Sequence, residues 1–202
     1  MTDDELLAEY SGRHARALVP MAIDLTSLLE SRLSGIHRID RISARAKDPK
    51  SFLVKATKEQ DGKRKYIDPF SEIQDQLAAR VTVFYLSDVD VVETTIKRYF
   101  NHIESKIIAD SPKQFGYEGR HFILSIPEEL FEEDEHPGVP DFFELQIKTL
   151  FQHAWSEAEH DLAYKPLSPL SDLQAREIAF TAAQAWGADQ MFLKLFKELS
   201  QK

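Results

Sequence analysis

The chain has 202 residues, 43% of them hydrophobic and 10% aromatic, which suffices for the core of one domain and excludes a disordered tail. It contains no apolar run of about 18 residues, no cysteine for disulfides or thiolate metal sites, and an acidic opening, MTDDELLAEY, without the order of a signal peptide; the expectation is a cytoplasmic protein with no membrane contact. A formal net charge of −9 argues against a general nucleic-acid binder, yet the basic residues concentrate in HRIDRISARAKDPKSFLVKATKEQDGKRKY, the first hint of an anion site.

Residues 3–34 read as two helices broken near Pro20, with Leu25, Leu28, Leu29 and Leu33 at helical spacing. A strand is predicted over about 37–46, a short helix over about 51–58, and then a charged, mobile loop, KEQDGKRKY. LAARVTVFYL, rich in β-branched and aromatic residues, reads as a central strand, and SDVDVVETTIKRYF as a helix capped by Ser87. Strands follow at about 103–109 and 119–126, an acidic connection spans 128–140, and FFELQIK forms a further strand. One helix runs to about 163 and a long C-terminal helix starts near 171, beyond the Pro-punctuated KPLSPLS. This irregular interleaving indicates an α+β fold with a mixed sheet.

The segment ELQIKTLFQHAWSEAEHDLAYK carries the densest chemistry. Phe143, Leu145 and Ile147 point one way along the strand, so Glu144, Gln146 and Lys148 line something polar. On the helix that follows, Phe151, Ala154, Trp155, Ala158 and Leu162 make an apolar stripe. His153, Glu157, His160, Asp161 and Tyr164 fall opposite, on a face open equally to a solvated reading and a functional one.

Four pieces in order resemble the RelA/SpoT-type alarmone synthetase domain, in its small-synthetase form: RISARAKDPKSFLVK, IQDQLAARVTV, FGYEGRH and FELQIKTLFQHAWSEAEHDLAYK. They cover roughly 37–166 and leave helices at 3–34 and 171–199 outside. The resemblance implies a single domain over 1–202 with a nucleotidyltransferase-like mixed β-sheet flanked by helices, and helical N- and C-terminal extensions. It further implies a pyrophosphokinase that moves the β,γ-pyrophosphoryl group of ATP to the 3′-hydroxyl of GDP or GTP, with Mg²⁺ as cofactor.

Carried onto this sequence, the resemblance makes Arg45, Lys47, Ser51 and Lys55 the ATP-binding set, with Ser51 capping the short helix. Asp75 and Glu144 would hold the metal, Glu144 alternatively accepting the proton of the attacking hydroxyl, and Arg80 would contact phosphate. Tyr117, His121, Gln146 and Lys148 would meet the acceptor nucleotide, Tyr117 by stacking on guanine; His153, His160 and Tyr164 are supporting. Departures from the pattern are Ala78 for the usual Gly, Gly119 for Ser, Glu118 for a common basic residue, with Arg120 as a substitute cation, and Lys148 for Arg.

Three other readings compete: a toxin-type relative that acts on tRNA 3′ ends or makes an adenine alarmone, a non-catalytic nucleotide sensor, and a transition-metal enzyme. The acidic balance weakens the tRNA version. The metal version has one Glu-x-x-His pair where a bundle site needs two. A homo-oligomer through the terminal helices is a further expectation, because the last helix carries Trp186, Phe192, Leu195 and Phe196 on more than one face.

Overall fold

The computed structural model describes residues 1–108, 115–116, 119–131, 138–163 and 169–200. Its elements in chain order are α1 (Asp3–Arg13), α2 (Val19–Leu33), β1 (Ile39–Ala46), α3 (Pro49–Ala56), the short strands β2 (Glu59–Gln60) and β3 (Lys63–Arg64), and α4 (Pro69–Glu72). Then come β4 (Leu77–Val83), α5 (Leu86–Tyr99), β5 (His102–Ile108), β6 (Gly119–Ser125), β7 (Phe142–Thr149), α6 (Leu150–Ala163) and α7 (Asp172–Ser200). Five strands form one mixed sheet in the order β1-β4-β7-β6-β5, in which only β4 and β7 run parallel. The fold is α+β, as the interleaving of elements predicts.

Side-chain alternation makes the two faces of this sheet chemically opposite. Leu77, Ala79, Val81 and Val83 of β4 join Phe143, Leu145 and Ile147 of β7 on the face packed against Leu25, Leu29 and Leu33 of α2 and Val89, Val92 and Ile96 of α5. The other face carries Ser43 and Arg45, Ala78 and Arg80, Glu144, Gln146 and Lys148, and His121. Register fixes this grouping: Arg45 pairs with Ala78, Ala78 with Glu144, Arg80 with Gln146, and Gln146 with His121. A second apolar cluster lies apart from the main core, built from Leu6, Tyr10, Leu18, Phe52, Ala56 and Ile73.

Several local expectations need correction. The break near Pro20 is instead a π-helical turn, His14–Leu18, that runs straight on into α2, with Pro20 in the first turn of that helix. Ser87 does not cap α5. Tyr85 is the N-cap, and the buried Asp88 carboxylate accepts its N–H at 3.2 Å while gripping Arg38 at 2.8 Å. The charged KEQDGKRKY stretch is a two-stranded ribbon turned by Asp61 and Gly62, both at positive φ, which is Asp-Gly hairpin chemistry. On α6 the apolar stripe stops early: Phe151 and Trp155 are partly covered, Ala154 and Ala158 are exposed and Leu162 is 60% exposed, whereas Ser156 is buried.

The reason lies in α7, which covers only the first turns of α6. Phe151 stacks on Phe192, Trp155 Nε1 donates to Thr181 Oγ1 at 3.0 Å, and Thr149 Oγ1 donates to the buried Asp189 at 2.7 Å. Farther along, Tyr85 stacks on Phe196, so α7 also reaches the start of α5. No helix among the described residues is long and apolar enough to cross a membrane.

Candidate active site

A cavity of about 500 Å³ opens on the polar face of the sheet, between the strands and α6. Arg45, Arg80, His121, Gln146 and Lys148 line it from the sheet; Ser156, Glu157, Glu159 and His160 line it from α6. Ala78 lines it too, within a regular strand, and among the described residues the positive-φ positions are Asp61, Gly62 and Gly138. Nothing in the backbone at 78 therefore demands glycine.

Asp75 stands in the turn just before β4, where two lysines converge on it. Lys47, one residue beyond β1, bonds Oδ2 at 2.7 Å, and Lys55 from α3 bonds Oδ1 at 2.9 Å. Burial alone raises the Asp75 pKa, but the hydrogen bonds and charges of Lys47 and Lys55 outweigh it and hold the carboxyl below its usual range. Glu144, on β7, receives His121 Nδ1 at 2.7 Å and Gln146 Nε2 at 3.2 Å. Burial again pushes upward, and the His121 contact again prevails, so Glu144 is also ionised at neutral pH; Asp75 is near enough that its charge acts on Glu144. The two carboxylates, 69 residues apart in the chain, are thus both ionised and within electrostatic reach of each other.

Arg80 and Lys148 are the two sheet cations deepest in this face. Arg80 donates from one terminal nitrogen to His153 Nδ1 at 3.0 Å and to Glu157 Oε1 at 2.6 Å, both on α6 and one turn apart. Its Nε is buried with no hydrogen-bond partner among the described residues. His153 is kept neutral by burial and by the Arg80 charge, so Nδ1 accepts and the ring proton resides on Nε2. Lys148 is 3% exposed and donates to Ser156 Oγ at 3.0 Å. Burial, then the Arg80 charge, lowers its pKa to about 8.

Of the residues singled out from sequence, Arg45, Arg80, His121, Gln146 and Lys148 line the cavity, and Lys47, Lys55, Asp75 and Glu144 form the two ionic clusters described. Ser51 does not cap α3: Asp48 is the N-cap, and the Ser51 N–H is already taken by Asp48 Oδ1 at 3.0 Å. Arg120 supplies no charge here. It lies on the opposite face of β6, paired with Asp90 and Glu93 of α5. Tyr117, Glu118 and Tyr164 lie outside the described residues. His153 and Glu157 do more than decorate a solvated face, since both hold Arg80; their i, i+4 spacing carried that signal. Ser156, buried among polar atoms, carried none.

The chain is 28% identical over 132 residues to GTP pyrophosphokinase YjbM of Bacillus subtilis, a match covering 63% of this chain and 57% of that protein. Its fold is shared with the crystal structure of small alarmone synthetase 1 from Bacillus subtilis, with a TM-score of 0.76 at 20% identity over 93% of this chain and 98% of the other. The same synthetase bound to its product pppGpp superposes with a TM-score of 0.73 at 21% identity, covering 91% and 96% of the two chains. Residues 44–168 match the model of the region found in RelA/SpoT proteins, and the chain belongs to the RelA/SpoT family.

Proposed function

We propose that this protein is a pyrophosphokinase that transfers the β,γ-pyrophosphoryl group of ATP to the 3′-hydroxyl of a guanine nucleotide, releasing AMP. The observation that carries this reading is the pair of ionised carboxylates, Asp75 and Glu144, beside a cavity lined by Arg45, Arg80 and Lys148. Relatives named GTP pyrophosphokinase, and a structural neighbour bound to pppGpp, support the choice of reaction and acceptor.

In this reaction the acceptor 3′-oxygen attacks the β-phosphorus of ATP and the bond to the α-phosphate oxygen breaks. The hydroxyl proton passes to a base, and AMP leaves with the electron pair. We assign that proton to Glu144, an assignment its ionised state and its hydrogen bonds from His121 and Gln146 support. Arg45, Arg80, Lys47 and Lys55 compensate triphosphate charge, the last two by exchanging the Asp75 carboxylate for phosphate oxygens. Lys148 and Gln146 orient the acceptor.

The donor set suits Mg²⁺. No three His, Cys, Asp or Glu side chains cluster among the described residues, and magnesium favours one or two carboxylates completed by phosphate oxygens and water. Asp75 would hold it, Glu144 being reserved for the hydroxyl proton, and when bound it would neutralise the charge developing on the transferred group.

The test is a side-by-side assay of purified protein with ATP, Mg²⁺ and one acceptor at a time: GMP, GDP, GTP, ATP or bulk tRNA. AMP together with a 3′-pyrophosphorylated guanine nucleotide is expected, and Asp75→Asn and Glu144→Gln should each abolish it. Absence of AMP with every acceptor refutes the reading; product on tRNA or adenine nucleotide alone replaces the acceptor.

A further inference from the structure

The Lys47–Asp75–Lys55 cluster is assembled from three separate segments: the end of β1, helix α3, and the turn before β4. Their shared support is the second apolar cluster, and the residue at its centre belongs to α1, upstream of the region that matches the family model. Tyr10 is 0% exposed. Its ring stacks on Phe52 of α3 with centroids 3.7 Å apart and planes 3° from parallel, and Phe52 lies about one turn before Lys55. Its hydroxyl donates to the Lys47 carbonyl at 3.1 Å. The Lys47 N–H is held from the other side by the Gln76 carbonyl at 2.8 Å, immediately after Asp75.

We infer that Tyr10 is a positioning residue for this cluster, fixing the Lys47 backbone so that its ammonium meets Asp75 and, in turnover, the triphosphate. A buried tyrosine needs some partner for its hydroxyl, and many carbonyls could serve. Here the acceptor belongs to the residue whose side chain grips Asp75, and the same ring packs on the helix that supplies the second lysine. The phenol is close to the site electrically as well: after burial, the Asp75 charge is the next influence keeping it protonated. Tyr10 thereby ties the N-terminal helix to the nucleotide site, though that helix contributes no side chain to the cavity lining.

The inference rests on the proposed function for its activity readout, but not for its binding readout. Tyr10→Phe removes only the hydroxyl and keeps the stack. It is expected to lower kcat by about tenfold, since displacements near 1 Å at a positioning group have effects of that order or larger. It should weaken binding of α,β-methylene-ATP with Mg²⁺ several-fold and leave the acceptor KM within about twofold. Leu6→Ala is the control. It empties the same cluster at a residue 2% exposed, with no link to Lys47, and should lower thermal stability more than Tyr10→Phe while sparing kcat well below its melting point.

Unchanged kcat and analogue affinity in Tyr10→Phe overturn the inference, and so does an equal loss in Leu6→Ala. A wild-type protein that binds the analogue but turns over with no acceptor sinks the functional reading alone, and the binding comparison still decides the role of Tyr10. If the wild type does not bind the analogue at all, both fall.

Discussion

Lys148 keeps an ammonium where 3% of the residue meets solvent, and its pKa falls from 10.5 to about 8, chiefly through burial. Each pKa unit corresponds to about 1.4 kcal/mol, so at pH 7 the charge costs about 3 kcal/mol of stability relative to an unfolded lysine. Lys148→Met keeps the stem and removes the charge. It forfeits the bond to Ser156 Oγ, about 1 kcal/mol, but that hydroxyl keeps its own donation to the His153 carbonyl at 3.0 Å. The variant is therefore expected to be more stable by about 2 kcal/mol, or about 4–8 °C in melting temperature for a chain of this size.

The pH dependence separates this cause from simple repacking. Between about pH 8 and 10.5 the unfolded lysine still binds its proton while the folded one has lost it, so wild-type stability rises with pH across that window. The advantage of Lys148→Met should be full at and below pH 7, shrink through pH 9 and vanish near 10.5. Urea unfolding at pH 7, 8, 9 and 10 measures it, and pyrophosphokinase activity should be lost in the same variant. A variant less stable than wild type at pH 7, or an advantage independent of pH, refutes the reasoning.

Asp75→Asn leaves two ammonium groups around a neutral amide; because the Asp75 pKa is lowered on folding, its stabilisation is full above the unfolded value of 3.8 and is lost as pH falls through the folded one. The stability gap between wild type and this variant should thus be constant from pH 7 down to about 5 and close below it, in unfolding titrations. Glu157→Gln removes a carboxylate whose side chain is 58% exposed, so denaturation midpoints should move by less than about 0.5 kcal/mol, whereas Arg80→Ala should lower kcat/KM by about a hundredfold or more. Ala78→Gly should change kcat/KM less than about threefold and lower stability by about 0.5–1 kcal/mol, because the strand at 78 has no need of glycine; a large gain in activity would contradict that account.

The elements most legible in the sequence were those whose periodicity and burial agree. β4 and β7 read as strands because their β-branched and aromatic residues face a buried core, and the same alternation placed Glu144, Gln146 and Lys148 together. Caps were less legible. Ser51 and Ser87 have the right chemistry at nearly the right place, but the Asp48 carboxylate takes the Ser51 N–H of α3, and the Asp88 carboxylate, inside α5, reaches back to the N–H of the N-cap Tyr85. Arg120 was misplaced for a simpler reason: it is one residue out of phase with His121, and in a strand that is the difference between the cavity and the face toward α5. Tyr10 left no trace at all, since its partner Lys47 is 37 residues away and its helix is mostly polar.

The ionic pattern of the site has one physical feature: its cations are kept ordered by protein carboxylates, which on the proposed function would give way to the ligand. Lys47 and Lys55 sit on Asp75, and Arg80 sits on Glu157. Such pairs are weak where water reaches them, as at the exposed Glu157, so a triphosphate with more charge and more acceptor oxygens can displace them at small cost. Asp75 differs, being screened from solvent more than Glu157 and gripped by two lysines. Under the proposed function, releasing it would require a replacement cation, and a divalent metal bound with the nucleotide would supply that charge while the lysines hold phosphate. On that reading nucleotide and metal would favour each other's entry: either alone would leave an unpaired charge in a partly buried pocket, and both together would leave none.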